Sequence, residues 1–246
     1  MSSTSRWALV TGGSRGIGRA VALELARTGW DVAIVHLRNV DAAADTVRAV
    51  HALGRQCVAY QANVAKPDEC ADVVQRMATE CGPLTGLVHA AGLGALSPTL
   101  ATRPARWQIA WESHVGGLLA LASAAQPTFV DGASVVAFSS LGAWRVMPGY
   151  ASIGAAKGAL ESAVRYLAAE LAPRVTVNAI RGGPVDTDSL RSFAFFDDVD
   201  AESRRRPPGR LGRPDDIAPV AAYLLGPGAR WITGQVITAD GGFSLH

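Results

Sequence analysis

The 246-residue sequence has little of what many binding chemistries require. It holds three cysteines, Cys57, Cys70 and Cys81, an odd number with no Cys-x-x-Cys pair. That argues against a disulfide framework or a thiolate zinc site and suits a reducing compartment. The five histidines are scattered and form no His-Glu-x-x-His motif, so no metal is expected. Charge is nearly balanced, 23 Lys and Arg against 21 Asp and Glu, for a formal net charge of +2. This is too mild to point to nucleic acid. No apolar run has signal or membrane length, and Met1 to Ser5 is short and polar. A soluble, cytoplasmic protein without a membrane partner is the expectation.

What is present is a large apolar fraction, 49% of residues, enough to bury a sizeable core. Strand-like and helix-like segments alternate. Strands are expected at Trp7 to Val10, Asp31 to Leu37, Cys57 to Tyr60, Gly86 to His89, Ser134 to Phe138, Val175 to Ile180 and Gln235 to Thr238. Helices are expected at Gly16 to Arg27, Val40 to Leu53, from Pro67, over Trp107 to Ala125, over Ser152 to Leu171 and over Pro214 to Leu225. The alternation implies parallel pairing with right-handed crossovers, and runs such as Val32-Ala33-Ile34-Val35 suit a sheet covered on both faces. The expected fold class is α/β, a Rossmann-type doubly wound parallel sheet of about seven strands in a single domain over 1–246. One long irregular stretch, about 188–213, follows the sixth strand and would lie at the carboxyl edge of the sheet as a substrate loop.

Between the first strand and the first helix stands Thr11-Gly12-Gly13-Ser14-Arg15-Gly16-Ile17-Gly18. The glycine spacing is longer than GxGxxG, yet it meets the same need: backbone that turns sharply and approaches a pyrophosphate at a helix N-terminus. Gly12, Ser14, Arg15, Gly16, Ile17 and Gly18 are therefore candidate cofactor residues. NAD selection would need an acid at the end of the second strand. The chain instead reads His36-Leu37-Arg38-Asn39. Arg38 and Arg15 can each offer a guanidinium to a 2′-phosphate, so NADPH is the expected cofactor. Asn63 and Ala90, after the third and fourth strands, are candidate adenosine neighbours.

Downstream, GYASIGAAKGALES carries Tyr150 and Lys157. A phenol beside an ammonium can stabilise an oxygen that turns negative. On a helix, a four-residue spacing rotates by about 40° and rises about 6 Å, whereas seven residues rotate by about −20° and rise about 10.5 Å. Both keep the pair on one face, but the longer one displaces the phenol.

Together these segments resemble the short-chain dehydrogenase/reductase family over nearly the whole chain. The resemblance rests on the TGGSRGIG turn, Ser139-Ser140, the Tyr150/Lys157 helix, VNAI at 177–180, GRLGRPDDIA at 209–218 and ITGQVITADGG at 232–242. Most members separate tyrosine and lysine by three residues; here that position is Ile153 and the spacing is Tyr-x6-Lys. The spacing, with SSLGAWR, RYLAAEL and GGPVDTDSL, is similar to the type III enoyl-acyl-carrier-protein reductases. The resemblance implies an NADPH-dependent reductase of an α,β-unsaturated acyl thioester, with Tyr150 and Lys157 both catalytic and next to the cofactor. It implies that Ser140 assists the substrate carbonyl, and that Val64, Ala91, Gly92, Gly183, Pro184, Val185 and Thr187 flank the nucleotide. The family's usual helix asparagine reads His114 here, a candidate for a modified proton relay, and His89-Ala90-Ala91-Gly92 stands where relatives have Asn-Asn-Ala-Gly. A homo-oligomer, dimer or tetramer, built on the 107–125 and 152–171 helices is also implied. Phe193, Phe195 and Phe196 could close over an acyl chain or pack into the core. Arg204, Arg205, Arg206, Arg210 and Arg213 could meet an acidic acyl-carrier protein or a phosphopantetheine phosphate. The alternatives are an NADPH-dependent ketoreductase of a ketone or polyketide-like intermediate and a non-catalytic nucleotide-binding protein.

Overall fold

The computed structural model describes residues 6–207 and 209–245; the polar Met1 to Ser5 segment lies outside the described residues. Seven parallel strands form one sheet. In chain order they are β1 (Trp7–Thr11), β2 (Asp31–His36), β3 (Cys57–Gln61), β4 (Leu84–His89), β5 (Phe129–Ser140), β6 (Val175–Gly182) and β7 (Val236–Ala239). Their spatial order is β3-β2-β1-β4-β5-β6-β7. The chain reverses its direction of growth between β1 and β4, and that crevice is where such sheets admit ligands.

Both faces of the sheet are covered, which is why β1 and β2 are buried at every position. One face is packed by α1 (Gly16–Arg27), α2 (Val40–Ala52) and α9 (Pro214–Leu225), through residues such as Val21, Leu25, Val50, Ala221 and Leu224. The other is packed by α3 (Pro67–Glu80), α5 (Gly117–Ala125) and α6 (Ala151–Leu171), through Val73, Met77, Leu118, Leu121, Leu160 and Val164. No helix among the described residues is long and apolar enough to cross a membrane, and Cys57, Cys70 and Cys81 are all free.

Three segments depart from the sequence reading. The helix expected over Trp107 to Ala125 is α4 (Pro104–Trp111), a π-helical turn at Glu112–Gly116, and then α5. The π turn is held from outside the helix. His89 Nε2 donates to the Ser113 carbonyl at 3.1 Å, and Ser113 Oγ accepts from the Leu93 amide at 3.0 Å. Gly117 lets the helix press against the strand ends, since a Cβ there would stand 2.8 Å from the Val64 carbonyl oxygen. The fifth strand is also longer than expected, because Asp131-Gly132, a turn signal by composition, is absorbed into it with Gly132 at φ +81°. Finally, 188–213 is not irregular throughout: it contains α7 (Asp188–Arg191) and α8 (Phe196–Arg205). Asp197 and Asp198 open α8 and Arg204 and Arg205 close it, a charge order that favours the helix dipole. A bridge between Val185 and Gly212 closes this insertion at its neck.

Candidate active site

At the carboxyl ends of β1, β4, β5 and β6 lies a cleft of about 900 Å³. Its β1 wall is the glycine turn. Gly12 adopts φ +68°, a backbone that side chains rarely take. A Cβ on Gly18 would stand 2.3 Å from the Gly12 carbonyl oxygen, so α1 begins pressed against the turn. The N-cap of α1, Arg15, makes no side-chain cap bond, and the first turn holds no acid. Those amides and the positive helix end suit an anion. Ser14, Gly16 and Ile17 line the same wall, and Arg15 pairs with Asp188 of α7 at 3.8 Å.

At the end of the cleft bordered by β2, β3 and β4 stand Arg38, Asn63, Val64, Ala90, Ala91 and Gly92. Arg38 is exposed. Asn39 is occupied as the N-cap of α2, accepting from the Ala42 amide at 3.0 Å. No carboxylate lies between His36 and Asn39. His36 is buried, its Nδ1 has no hydrogen-bond partner among the described residues, and burial lowers its pKa. At the opposite end, Gly183, Pro184, Val185 and Thr187 follow β6 into the cleft. These residues fit a phosphorylated dinucleotide: bare backbone and a helix end for the pyrophosphate, and an exposed Arg38 guanidinium, with no acid from His36 to Asn39, for the ribose phosphate.

Tyr150, Lys157, Ser140 and His114 line the cleft together. Tyr150 is not in α6 but caps it, with φ −91° and ψ 5°, so its ring leaves the helix head and lies over the bare face of Gly142, where a Cβ would stand 2.5 Å from the ring. Burial raises the phenol's pKa, partly offset by a hydrogen bond with Ser140; the group stays protonated in the neutral range. Lys157 is buried and donates from Nζ to the Phe138 carbonyl at 2.6 Å. Desolvation pulls its ammonium down to about 7. Ile153, one turn before Lys157, is only 4% exposed and packs against the backbone of Gly94.

The two histidines differ. His89 Nε2 faces a carbonyl and must carry the proton, so Nδ1 accepts from the Thr11 hydroxyl at 3.1 Å. Thr11 Oγ1 in turn accepts from the Ala90 and Ala91 amides at 3.2 and 3.1 Å. Burial, and then the nearby charge of Lys157, hold the His89 pKa down to about 4. His114 is buried in the π turn against Gly92, and its Nδ1 has no partner among the described residues. Burial first, then the nearby Lys157, puts its pKa well below the ordinary value, so it is neutral.

The aromatic segment faces the cleft rather than the core. Phe193 meets Tyr150 edge-on at 6.1 Å and Phe195 at 5.3 Å, and both line the cleft; Phe196 instead stacks with Arg191. The arginine cluster is largely paired on its own surface: Arg204 with Asp200, Arg205 and Arg206 with Glu202, and Arg210 with Asp216. Sequence reasoning missed Arg145 and Met147 as lining residues. It also missed the buried Glu161–Arg181 pair on α6 and β6; the only signal was an acid four residues after Lys157.

The family model described as Enoyl-(Acyl carrier protein) reductase matches residues 12–244. The chain is 37% identical over 241 residues to the 1-cyclohexenylcarbonyl-CoA reductase of Streptomyces collinus, covering 96% of this chain and 86% of that protein. It is 33% identical over 243 residues to a 3-oxoacyl-[acyl-carrier-protein] reductase of Staphylococcus epidermidis, covering 97% and 98%. A short-chain dehydrogenase from Burkholderia cenocepacia, solved in complex with NADP, superimposes with a TM-score of 0.91 at 35% identity, covering 98% of each chain. A matching family model, full-length relatives and a cleft built from the glycine turn thus agree: the chain belongs to the short-chain dehydrogenase/reductase family, oxidoreductases that work with a nicotinamide cofactor.

Proposed function

We propose that the protein is an NADPH-dependent reductase of α,β-unsaturated acyl thioesters. The observation that carries this reading is the placement of Tyr150: a protonated phenol at the head of α6, bonded to Ser140, with the unreactive Ile153 filling the position one turn before Lys157. In ketone reduction, the carbon that receives hydride bears the oxygen. In enoyl reduction, hydride enters at the β-carbon and charge develops on the thioester oxygen, three bonds away. A displaced oxyanion needs a displaced donor. The relative named for a cyclohexenylcarbonyl thioester supports the same substrate class.

Bound NADPH supplies the hydride. Tyr150 donates a hydrogen bond to the thioester oxygen as it becomes an enolate, and Ser140 orients that phenol. Lys157 bonds the nicotinamide ribose hydroxyls and contributes positive field. His114, neutral and beside Lys157, serves as the polar neighbour through which a proton can be passed. Phe193 and Phe195 cover the acyl group and exclude water. Arg38, with Arg15, receives the 2′-phosphate. Assembly follows the same reading: Trp111, 52% exposed on α4, and Ala155 on α6 border an apolar groove suited to another copy of the chain.

Ketone reduction is the second reading, favoured by the 3-oxoacyl relative. Offering crotonyl and acetoacetyl thioesters side by side with NADPH separates the two. The enoyl reading expects turnover of the crotonyl thioester; turnover of the acetoacetyl thioester alone would overturn it. Tyr150→Phe is expected to lose about 100- to 1000-fold in kcat with NADPH binding retained.

A further inference from the structure

Glu161 is a buried carboxylate for which the proposed reaction has no use. It lies four residues after Lys157 on α6, a spacing that keeps both side chains on one face. It is 7% exposed, and an ion so placed requires paired donors. Ser139 Oγ donates to Oε1 at 2.7 Å, while Arg181 donates from Nε to Oε1 at 2.9 Å and from Nη2 to Oε2 at 2.6 Å. Ser139 and Arg181 are register partners across β5 and β6. Three consecutive residues at the tip of β5 therefore engage α6 and its cap: the Phe138 carbonyl takes Lys157, Ser139 takes Glu161, and Ser140 bonds Tyr150.

The titratable and charged groups around Lys157 are His89 at the end of β4, His114 in the π turn, Tyr150 at the head of α6, and the Glu161–Arg181 pair on α6 and β6. The two histidines and the phenol are neutral. Arg145, on the turn after β5, lines the same cleft and shares the Trp144 ring with Arg181; of the paired groups, Glu161 and Arg181 carry opposite charges that offset each other.

We propose that Glu161 is a positioning residue: by neutralising Arg181 and tying the β5 tip to α6, it keeps Lys157 at the height and in the charge state in which it holds the cofactor ribose. This rests on the role given to Lys157 above, and not on which acyl bond is reduced.

The test is NADP binding, measured by calorimetry across the neutral and alkaline range, which needs no turnover. Affinity is expected to be high with Lys157 protonated and to fall as pH rises through its pKa. Glu161→Gln leaves Arg181 uncompensated and should move that midpoint acid by about one pH unit. Arg181→Met leaves the carboxylate alone and should move it alkaline by about as much. The double variant should return to within about 0.3 units of the parent. Opposite shifts that cancel are a signature that loss of packing does not produce. Shifts of the same sign, no shift in folded variants, or a double variant that does not recover would overturn the proposal. Should Glu161→Gln fail to fold, Arg181→Met and the double variant decide it by the same criteria. A parent protein that binds NADP with no midpoint removes the role of Lys157 and the clasp with it. A parent with the midpoint that reduces no enoyl thioester removes only the proposed substrate.

Discussion

The β1–α1 wall of the cleft and the α7–α8 wall are built in opposite ways. On the first, backbone approaches backbone: Gly12 turns through positive φ and α1 begins where a Cβ on Gly18 would strike the Gly12 carbonyl. On the second, side chains meet side chains: Phe193 rests on Tyr150 and Phe195, and the surrounding acids and arginines pair at the surface. The first wall has no room for added side-chain atoms at Gly18, while the second is lined by side chains carried on helices outside the sheet. A common cofactor and a variable acyl group would demand that division.

The sharpest way to break the comparison is Gly18→Val. Its branched side chain should cost about 3 kcal/mol in chemical denaturation and abolish measurable NADP binding; a stable variant that binds normally would mean the close approach is dispensable. Next comes pH. Lys157 carries its proton below about 7 and sheds it above. If its ammonium is the binding form, as proposed, kcat/KM for NADPH should fall toward tenfold per unit above that point. The same inflection should remain in His114→Asn, since His114 is neutral throughout. Arg38→Gln should weaken NADPH by about tenfold with NADH unaffected, by the loss of one charge-assisted contact. The smallest effect is expected on the aromatic wall: Phe193→Ala removes one edge-on ring pair and should raise KM for an acyl thioester about threefold to tenfold, with NADP affinity unchanged. A large loss of NADP affinity there would show the two walls are not independent.

Much of the sheet was readable because it is written in local pattern. Short apolar runs between helix signals mark all seven strands, and Gly12, Gly16 and Gly18 mark the turn. What escaped is held by partners distant in sequence. The π turn depends on His89 reaching the Ser113 carbonyl, and nothing within Trp107 to Ala125 except Gly116-Gly117 hints at it. Glu161 reads as an ordinary helix acid until Arg181 arrives from β6. The helix α8 was legible in its order of charges, yet its aromatic entry, Ser192 to Phe196, concealed it. Tyr150 was legible in its spacing from Lys157 and in its place ahead of the helix expected from Ser152; what the structure adds is the Gly149 turn at φ +71° that precedes it and its ring over Gly142.

The clip between Val185 and Gly212 has its own consequence. Chain enters the insertion beside the point where it leaves, so the length of the stretch between does not set the spacing of β6 and α9. A donor sequence from a relative with another acyl preference is expected to be accepted between those two anchors if it keeps Thr187 and Asp188 beside the glycine turn and the Arg206 contact with the Phe243 carbonyl.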